Sequence, residues 1–484
     1  MGASVNREAI YSRLPVSLQN AVCGLVGWQT QRRRYAEGFR RALGEVEGRT
    51  HLSRDELRAY QERQLRSVLT HCAKFVPYYR RKFCEWGVDP ERVRTAEDLS
   101  NAVPVLTKDE VKANAAEFVS EGISRSEVFT SHTSGTTGGG LRFASTREAS
   151  DYTWAYWWRY RRWHGLELGT WSAHFGGRSV VPVSQTRPPF WRKNLFGRQI
   201  LFSAYHASPM NLGLYMKELE RTGVAWLHGY PSVLALLAER ALNGDTELRG
   251  QIKWITTGAE NLLPQQSRLI ECAFGVAPVQ HYGQAEGVAN ISQCPAGRLH
   301  VDEDFSLVEF LPAEGQDACR IVGTGFLNLA TPLLRYDTQD LAEPDDPSAA
   351  CDCGRHGRLI RSLDGRREDY VVLKSGALVG RLDHIFKDLV NIREAQIFQN
   401  RPGEVLFRIV RGSGYQEGDQ QQLLTEAQKR LGIDAEINVE YVEEIKRTGA
   451  GKLRLVISEL PEGMIVQKVK GRHTSHYSSK ADSH

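Results

Sequence analysis

SHTSGTTGGGLRF, residues 131–143, sets three Thr, two Ser and four Gly in thirteen positions, between the extended-looking EVF and the STREA that follows. Glycines interspersed with hydroxyls let backbone N–H and side-chain O–H groups converge on an anion, which cradles phosphate without a permanent positive charge. No G-K-[ST] closes the run, so it is not a Walker loop. A surface turn has the same composition, and the surrounding sequence has to decide between the two.

Downstream, between about 150 and 330, the short β-prone runs WSAHFG, RSVVPV, VAWLHGY, IKWITTGAE and APVQHYG alternate with helical stretches such as SVLALLAERAL and PQQSRLIECAFG. That alternation predicts an α/β fold with a largely parallel, helix-covered sheet. Upstream, Ser53 and Glu56 form a capping box, and Leu57, Tyr60, Leu65, Val68, Leu69, Cys72 and Val76 repeat at helical spacing. The aromatic run YTWAYWWRYRRW at 152–163 reads as a helix with one buried face, with a substrate or partner surface as the alternative. After about 365, AQIFQN, EVLFRIV, LLTEAQKRLG and AEINVEYV read as a small α+β domain, and the polar tail 463–484 as disordered.

The chain has 484 residues, of which 41% are hydrophobic and 25% charged, enough for two or three globular units. Its 62 basic and 58 acidic residues leave a net charge of +4, too little field to hold a polyanion, so nucleic acid is not an expected partner. The longest apolar runs, such as AVCGLVGW at 21–28, fall short of the roughly 20 residues of a spanning helix. Arg32–Arg34 follow that run instead of preceding it, so it does not read as a signal peptide. Eight sparse cysteines argue against a disulfide scaffold. A reducing cytoplasm is the expected location. The basic segment RRRYAEGFRR offers a peripheral contact with an anionic membrane, although a solvated helix face suits it better.

Four further stretches follow TSGTTGG in order: HYGQAEG at 281–287, RYDTQD at 335–340, GRREDYVVLKSGALVG at 365–380 and KRTGAGKLR at 446–454. Together they resemble the adenylate-forming superfamily of acyl-CoA synthetases, peptide-synthetase adenylation domains and luciferase. Within it the chain is similar to the phenylacetate:CoA ligase family. IYSRLPVSLQNAVCGLVGWQTQRRRYAEGF, FVPYYRRKF and LHGYPSVL resemble the branch found in capsular and extracellular polysaccharide gene clusters. The resemblance implies an N-terminal adenylate-forming domain over 1–366, binding ATP and the acyl group, and a C-terminal lid over 367–462.

It also implies the chemistry. A carboxylate attacks the α-phosphate of ATP, giving an acyl-adenylate and pyrophosphate, and the acyl group passes to an acceptor, by default CoA. Ser134, Gly135, Thr136, Thr137 and Gly138 would hold the β/γ-phosphates. Glu286 would bind Mg²⁺, Tyr282 would stack on adenine, Asp340 would accept from the ribose hydroxyls, and Arg366 would reach ribose or phosphate. Lys452 would stabilise the reacting carboxylate and α-phosphate. Glu368 would act as the hinge whose rotation withdraws Lys452 and presents Leu373–Gly376. Tyr230, Pro231, Gly258, Ala259, Glu260 and Gly283 would line the acyl pocket.

The sequence departs from the family pattern at three places: Gly139, Gly140 and Leu141 stand where a Lys often follows the phosphate loop, Ala285 replaces a Thr, and Glu368 an Asp. These departures keep open the alternative of a weakly active scaffold of an assembly complex. The resemblance to the capsule-associated branch keeps open a second, transfer to an amine of a sugar or amino acid in polysaccharide biosynthesis. Separately, Cys294, His300, Cys351 and Cys353 supply three thiolates and an imidazole, a donor set suited to structural Zn²⁺, with His356 as another candidate fourth ligand. A homodimer is compatible with all of this.

Overall fold

The computed structural model describes residues 7–132, 141–176, 180–182, 184–244, 248–313, 318–364, 371–379, 382–386, 389, 391–412, 414–432, 435–445 and 455–460. The tail 463–484 and the expected boundary at 366/367 lie outside these residues.

Helices open the chain. Ser53 caps the helix Arg54–Phe75, its hydroxyl accepting from the Glu56 amide while the Glu56 carboxylate accepts from the Ser53 amide at 2.8 Å, the expected capping box. Leu65, Val68, Leu69 and Cys72 of that helix bury against Tyr79, Phe118 and Phe326. The helix Val16–Arg34 carries the basic run at its end. Arg32 lies over Trp28 and Arg34 over Trp154, so part of that run is stacked on aromatic rings. No described helix is long and apolar enough to cross a membrane.

A five-stranded sheet follows, in the order Trp191–Asn194, Gln199–Ser203, Ser172–Gly176, Trp226–Gly229, Trp254–Thr257. The last four strands run parallel and the first is an antiparallel edge. One face buries Phe175, Phe202, Leu227 and Ile255 beneath the helices Pro209–Thr222, Pro231–Leu242 and Pro264–Phe274. On the other face Trp226 packs edge-on against Trp158 of the helix Arg147–Trp163, which the aromatic run forms.

This five-stranded sheet is the expected largely parallel, helix-covered sheet, but the parallel pattern ends there. RSVVPV contributes no strand among its described residues. APVQHYG gives Val279 one parallel bridge to Thr256 and then enters a second sheet of seven antiparallel strands. Their order is Ser306–Pro312, Cys319–Gly325, Tyr336–Pro344, Leu359–Asp364, Leu299–Val301, Asn290–Gln293, His281–Gly283. The switch is local in origin. A parallel neighbour needs a crossover of a dozen or more residues, whereas Gly287, at φ +67°, turns the chain straight back into Asn290–Gln293.

This second sheet is strongly curled. Tyr282 and Asp340 sit four strand spacings apart, about 19 Å in a flat sheet, yet their side chains meet at 2.9 Å. Gly323 makes the close approach possible, because a Cβ there would lie 2.1 Å from the Val288 carbonyl oxygen.

The C-terminal elements form a four-stranded sheet in the order Glu436–Tyr441, Glu404–Arg411, Ile392–Arg401, Val456–Ser458, with the helix Glu417–Leu431 packed on it through Leu423 and Ala427. With the N-terminal sheets this completes the expected α/β architecture with a smaller α+β unit.

A buried ion cluster clamps the aromatic helix to the antiparallel sheet. Arg159 donates to Asp302 at 2.6 Å and to Asp304 at 2.9 and 3.0 Å, and Arg49 reaches Asp304 at 3.1 Å. Asn290 and Ser292 each donate to Asp302 at 2.6 Å. Burial opposes both charges. At Arg159 the two aspartates outweigh it and raise the pKa, and at Asp302 burial prevails and raises the carboxyl. Replacing Arg159 with Met leaves Asp302 without an ionic partner among the described residues and Asp304 with Arg49 alone, and urea unfolding is expected to report a loss of about 3–5 kcal/mol. A loss below ~1 kcal/mol would mean that the aspartates are satisfied without the guanidinium.

Candidate active site and metal centre

Edge strand His281–Gly283 brings Tyr282 to Asp340. Burial first, then the neighbouring Asp340 carboxylate, push the Tyr282 phenol well above its ordinary pKa, so it stays protonated and donates. Asp340 reaches this position because its strand is irregular. Pairing to Cys319–Gly325 skips from Asp337 to Leu341, and Gln339 between them takes φ +64°. Such a bulge re-aims side chains beside a site. Glu286 joins the group, with its carboxylate accepting from Tyr336 Oη at 3.4 Å. Gln284, between Gly283 and Glu286, has both atoms of its amide buried without a hydrogen-bond partner. A buried amide left so costs about 1–3 kcal/mol, which a ligand at this loop would recover. Three expected nucleotide-site residues, Tyr282, Glu286 and Asp340, are thus brought together. Ser134, Gly135, Thr136, Thr137, Gly138, Arg366, Glu368 and Lys452 lie outside the described residues. Leu373–Gly376 forms the turn between Val371–Val372 and Leu378–Val379.

The expected acyl-pocket residues come from three strand ends. Tyr230 and Pro231 follow Trp226–Gly229, and Pro231 starts the helix Pro231–Leu242. Gly258, Ala259 and Glu260 follow the neighbouring strand, where Ala259 takes φ +67°, a conformation rare outside glycine. Glu260 reaches across to accept from the Ser232 amide at 3.2 Å, placing its charge at the positive end of that helix. That contact gives Glu260 a structural role in joining the two loops. Gly283 faces His281 and Trp157, and a Cβ there would stand 3.1 Å from the former's ring and 3.6 Å from the latter's Nε1.

Sequence reading missed the wall behind Gly283. His281 stacks on Tyr160 at 4.8 Å and 8° and meets Trp157 edge-on at 5.6 Å. His174, His228 and Thr256 occupy paired positions across three parallel strands, with His228 Nδ1 and Thr256 Oγ1 at 2.8 Å. The available signal was the i, i+4 pair Trp157 and Arg161 inside the aromatic run.

The four metal-ligand candidates converge, their donor atoms all within 4.8 Å of one another. Cys294 Sγ stands 3.7 Å from Cys351 Sγ, and Cys353 Sγ 3.3 Å from His300 Nε2. Zinc–sulfur bonds of about 2.3 Å and a zinc–nitrogen bond of about 2.0 Å imply tetrahedral edges of about 3.8 and about 3.6 Å, so the donor set fits. His300 Nδ1 bonds the Gly357 carbonyl oxygen at 3.2 Å, leaving Nε2 toward the thiols. Burial pushes His300 down to about 4, which keeps the imidazole neutral as a ligand must be. His300, and not His356, belongs to the set.

Burial holds His281 down to about 3, aided by the nearby Arg161 and opposed by its bond to Asn290. The unfolded chain therefore takes up a proton at His281 near pH 6.5 while the folded one does not. Stability is full above that pH and falls as pH drops toward about 3. In His281→Asn, the slope of unfolding free energy against pH between 6 and 4 is expected to fall by up to about 1.4 kcal/mol per unit. An unchanged slope would mean that His281 titrates normally in the fold.

Comparisons with known proteins bear on the fold. The family described as the CapK C-terminal domain matches residues 371–459. Protein CapK of Staphylococcus aureus is 23% identical over 458 residues, spanning 93% of this chain and 99% of its own. Phenylacetate-coenzyme A ligases of Thermus thermophilus and Pseudomonas putida are 27% and 25% identical, covering 67% and 84% of this chain and 73% and 87% of theirs. The crystal structure of 2-hydroxyisobutyryl-CoA ligase in complex with 2-HIB-AMP and CoA matches with a TM-score of 0.56 at 20% identity, over 87% of this chain and 93% of that one. The chain therefore has the fold of the adenylate-forming ligases and resembles, within them, the phenylacetate-coenzyme A ligases and CapK.

Proposed function

We propose that the protein activates a carboxylic acid with ATP, releasing pyrophosphate, and transfers the acyl group from the adenylate to an acceptor, CoA by default. The observation that carries this reading is the meeting of Tyr282 with Asp340, with the Glu286 carboxylate near enough to act on the Tyr282 phenol; in the same loop the Gln284 amide is buried with no hydrogen-bond partner among the described residues. These residues belong to the two motifs, HYGQAEG and RYDTQD, that the resemblance assigns to nucleotide and Mg²⁺.

In this reading Asp340 accepts from the ribose hydroxyls while Tyr282, kept protonated, orients that carboxylate and offers its ring to adenine. Glu286 would hold Mg²⁺, which would supply charge to offset that building on the phosphates. Ser134, Thr136 and Thr137 donate to the β/γ-phosphates, and Gly135 and Gly138 let the backbone approach them. Lys452 meets the acid's carboxylate and the α-phosphate as the new P–O bond forms and the bond to pyrophosphate breaks. Arg366 reaches ribose or phosphate. Glu368 is the hinge for the second half-reaction. Tyr230, Pro231, Gly258, Ala259 and Gly283 line the acyl pocket. The similarity to CapK supports a place in capsule or polysaccharide synthesis, where an amine on a sugar or amino acid is the competing acceptor.

We assign Cys294, His300, Cys351 and Cys353 to a structural Zn²⁺, since four protein donors leave no open position for chemistry. Metal analysis of protein purified without chelator is expected to give about one zinc per chain. Cys351→Ser should lose the metal and lower the melting temperature, and a metal-free wild type of unchanged stability would defeat the assignment.

Carboxylate-dependent ATP–pyrophosphate exchange across aryl, fatty, amino and sugar acids tests the main reading. One class of acid is expected to support exchange, and Lys452→Ala to reduce it by on the order of 10²-fold or more. Product analysis with CoA and with amino sugars then identifies the acceptor. Nucleotide binding without exchange for any acid would point to a scaffold.

A further inference from the structure

Three arginines lie close together on the helix Arg147–Trp163, and two are neutralised. Arg159 pairs with Asp302 and Asp304, and Arg162 with Glu47 and Glu167. Arg161 is 6% exposed, yet its guanidinium makes no hydrogen bond and no ion pair among the described residues, and its Nε is buried without a partner. What surrounds it is aromatic. The guanidinium carbon lies 5.1, 5.4 and 5.5 Å from the ring centroids of Trp158, Tyr160 and Trp226. The titratable neighbours that feel its charge, His228 and His281, are both held neutral, and His174 lies beyond His228 at 4.8 Å.

Ring faces offset part of the cost of burying the charge, by up to about 2 kcal/mol each when desolvated. They accept nothing from the five in-plane N–H donors, whose fork geometry matches an oxyanion. Burying the Nε donor without an acceptor costs about 1–3 kcal/mol, and no described residue accepts from it. Its position says where the missing anion belongs. Trp157, one helical turn earlier on the same face, touches the Gly283 edge of the acyl pocket through its Nε1, and His281 packs against both Trp157 and Tyr160. Arg161 follows Trp157 by one turn, about 5–6 Å along the helix axis.

We propose that Arg161 receives a second anionic group of the acyl substrate, so that the acid is a short dianion carrying another carboxylate about one helical turn from the one that is adenylated. The inference rests on the adenylation reading above. His228 and His281, both held neutral by burial, would supply further polar edges without competing for the charge.

The test is pyrophosphate exchange by the full chain with matched acids: hexanoate against adipate, benzoate against benzene-1,3-dicarboxylate, and 3-phosphonopropionate to separate phosphonate from carboxylate. In the wild type each dicarboxylate is expected to exceed its monoacid by on the order of 10²-fold in kcat/KM. Arg161→Gln should lower the dicarboxylates by a similar factor, through KM, and leave the monoacids within about threefold, with Arg161→Lys intermediate. The wild-type ranking needs no folded variant. A wild type that prefers the monoacids, or an Arg161→Gln that lowers both members of each pair alike, overturns the assignment while leaving adenylation intact. Preference for the phosphonate keeps the oxyanion site and overturns the second carboxylate. Exchange with no acid, together with no ATP binding, overturns both readings.

Discussion

Arg159 must be neutralised where it lies, and that requirement organises much of the N-terminal part. Its partners Asp302 and Asp304 follow the strand Leu299–Val301, and Arg49 and Tyr156 close on the same turn at Asp304. One buried cluster thus sets the distance between the aromatic helix, the N-terminal helices and the antiparallel sheet. Asp302 also accepts from Asn290, whose side-chain oxygen meets His281 at 2.8 Å. The same contacts that clamp the helix therefore orient the strand carrying Tyr282. A buried ion cluster is weak evidence for net stability, but removing one member is costly, so its geometry is held tightly.

The Cys/His cluster lies on the neighbouring layer. Cys294 follows one strand, His300 sits in the next, and Cys351 and Cys353 arrive from a loop 57 residues downstream of Cys294. With a cation at its centre the cluster would tie that loop to the sheet near the ion cluster. Its Gly357 contact completes the support, because a side chain there would collide with the Val301 carbonyl. The site residues thus rest on two adjacent anchors, one built from carboxylates and guanidinium groups, the other from thiols and an imidazole.

Features encoded by near neighbours were legible in the sequence. The Ser53–Glu56 cap, the aromatic helix, the strands WSAHFG, VAWLHGY and IKWITTGAE, and the late α+β elements all follow from local spacing. The convergence of Cys294, His300, Cys351 and Cys353 was legible too, since few residue types make good zinc donors. The antiparallel sheet was not, because a short β run carries no mark of its partner's direction. Only Gly287, a single residue in a turn, decides that APVQHYG doubles back. Nor was the role of Glu260 legible, since its contact with Ser232 depends on two loops meeting at the ends of adjacent strands. Arg161 was hidden for a related reason: beyond its i, i+4 spacing from Trp157, nothing in the run sets it apart from Arg159, whose carboxylates at Asp302 and Asp304 come from far along the chain.

The contact between Arg49 and Asp304 spans 255 residues, and Leu334 likewise donates to Tyr79 across the same distance. At synthesis rates of about 5–20 residues per second, roughly 13–50 s separate the appearance of such partners at the ribosome. For that interval the N-terminal helices present apolar faces and a guanidinium whose mates do not yet exist. The fold that holds its site so tightly when complete is thus one that leaves its earliest segments exposed to misassociation while it is being made, and the need for chaperone protection falls on the first third of the chain.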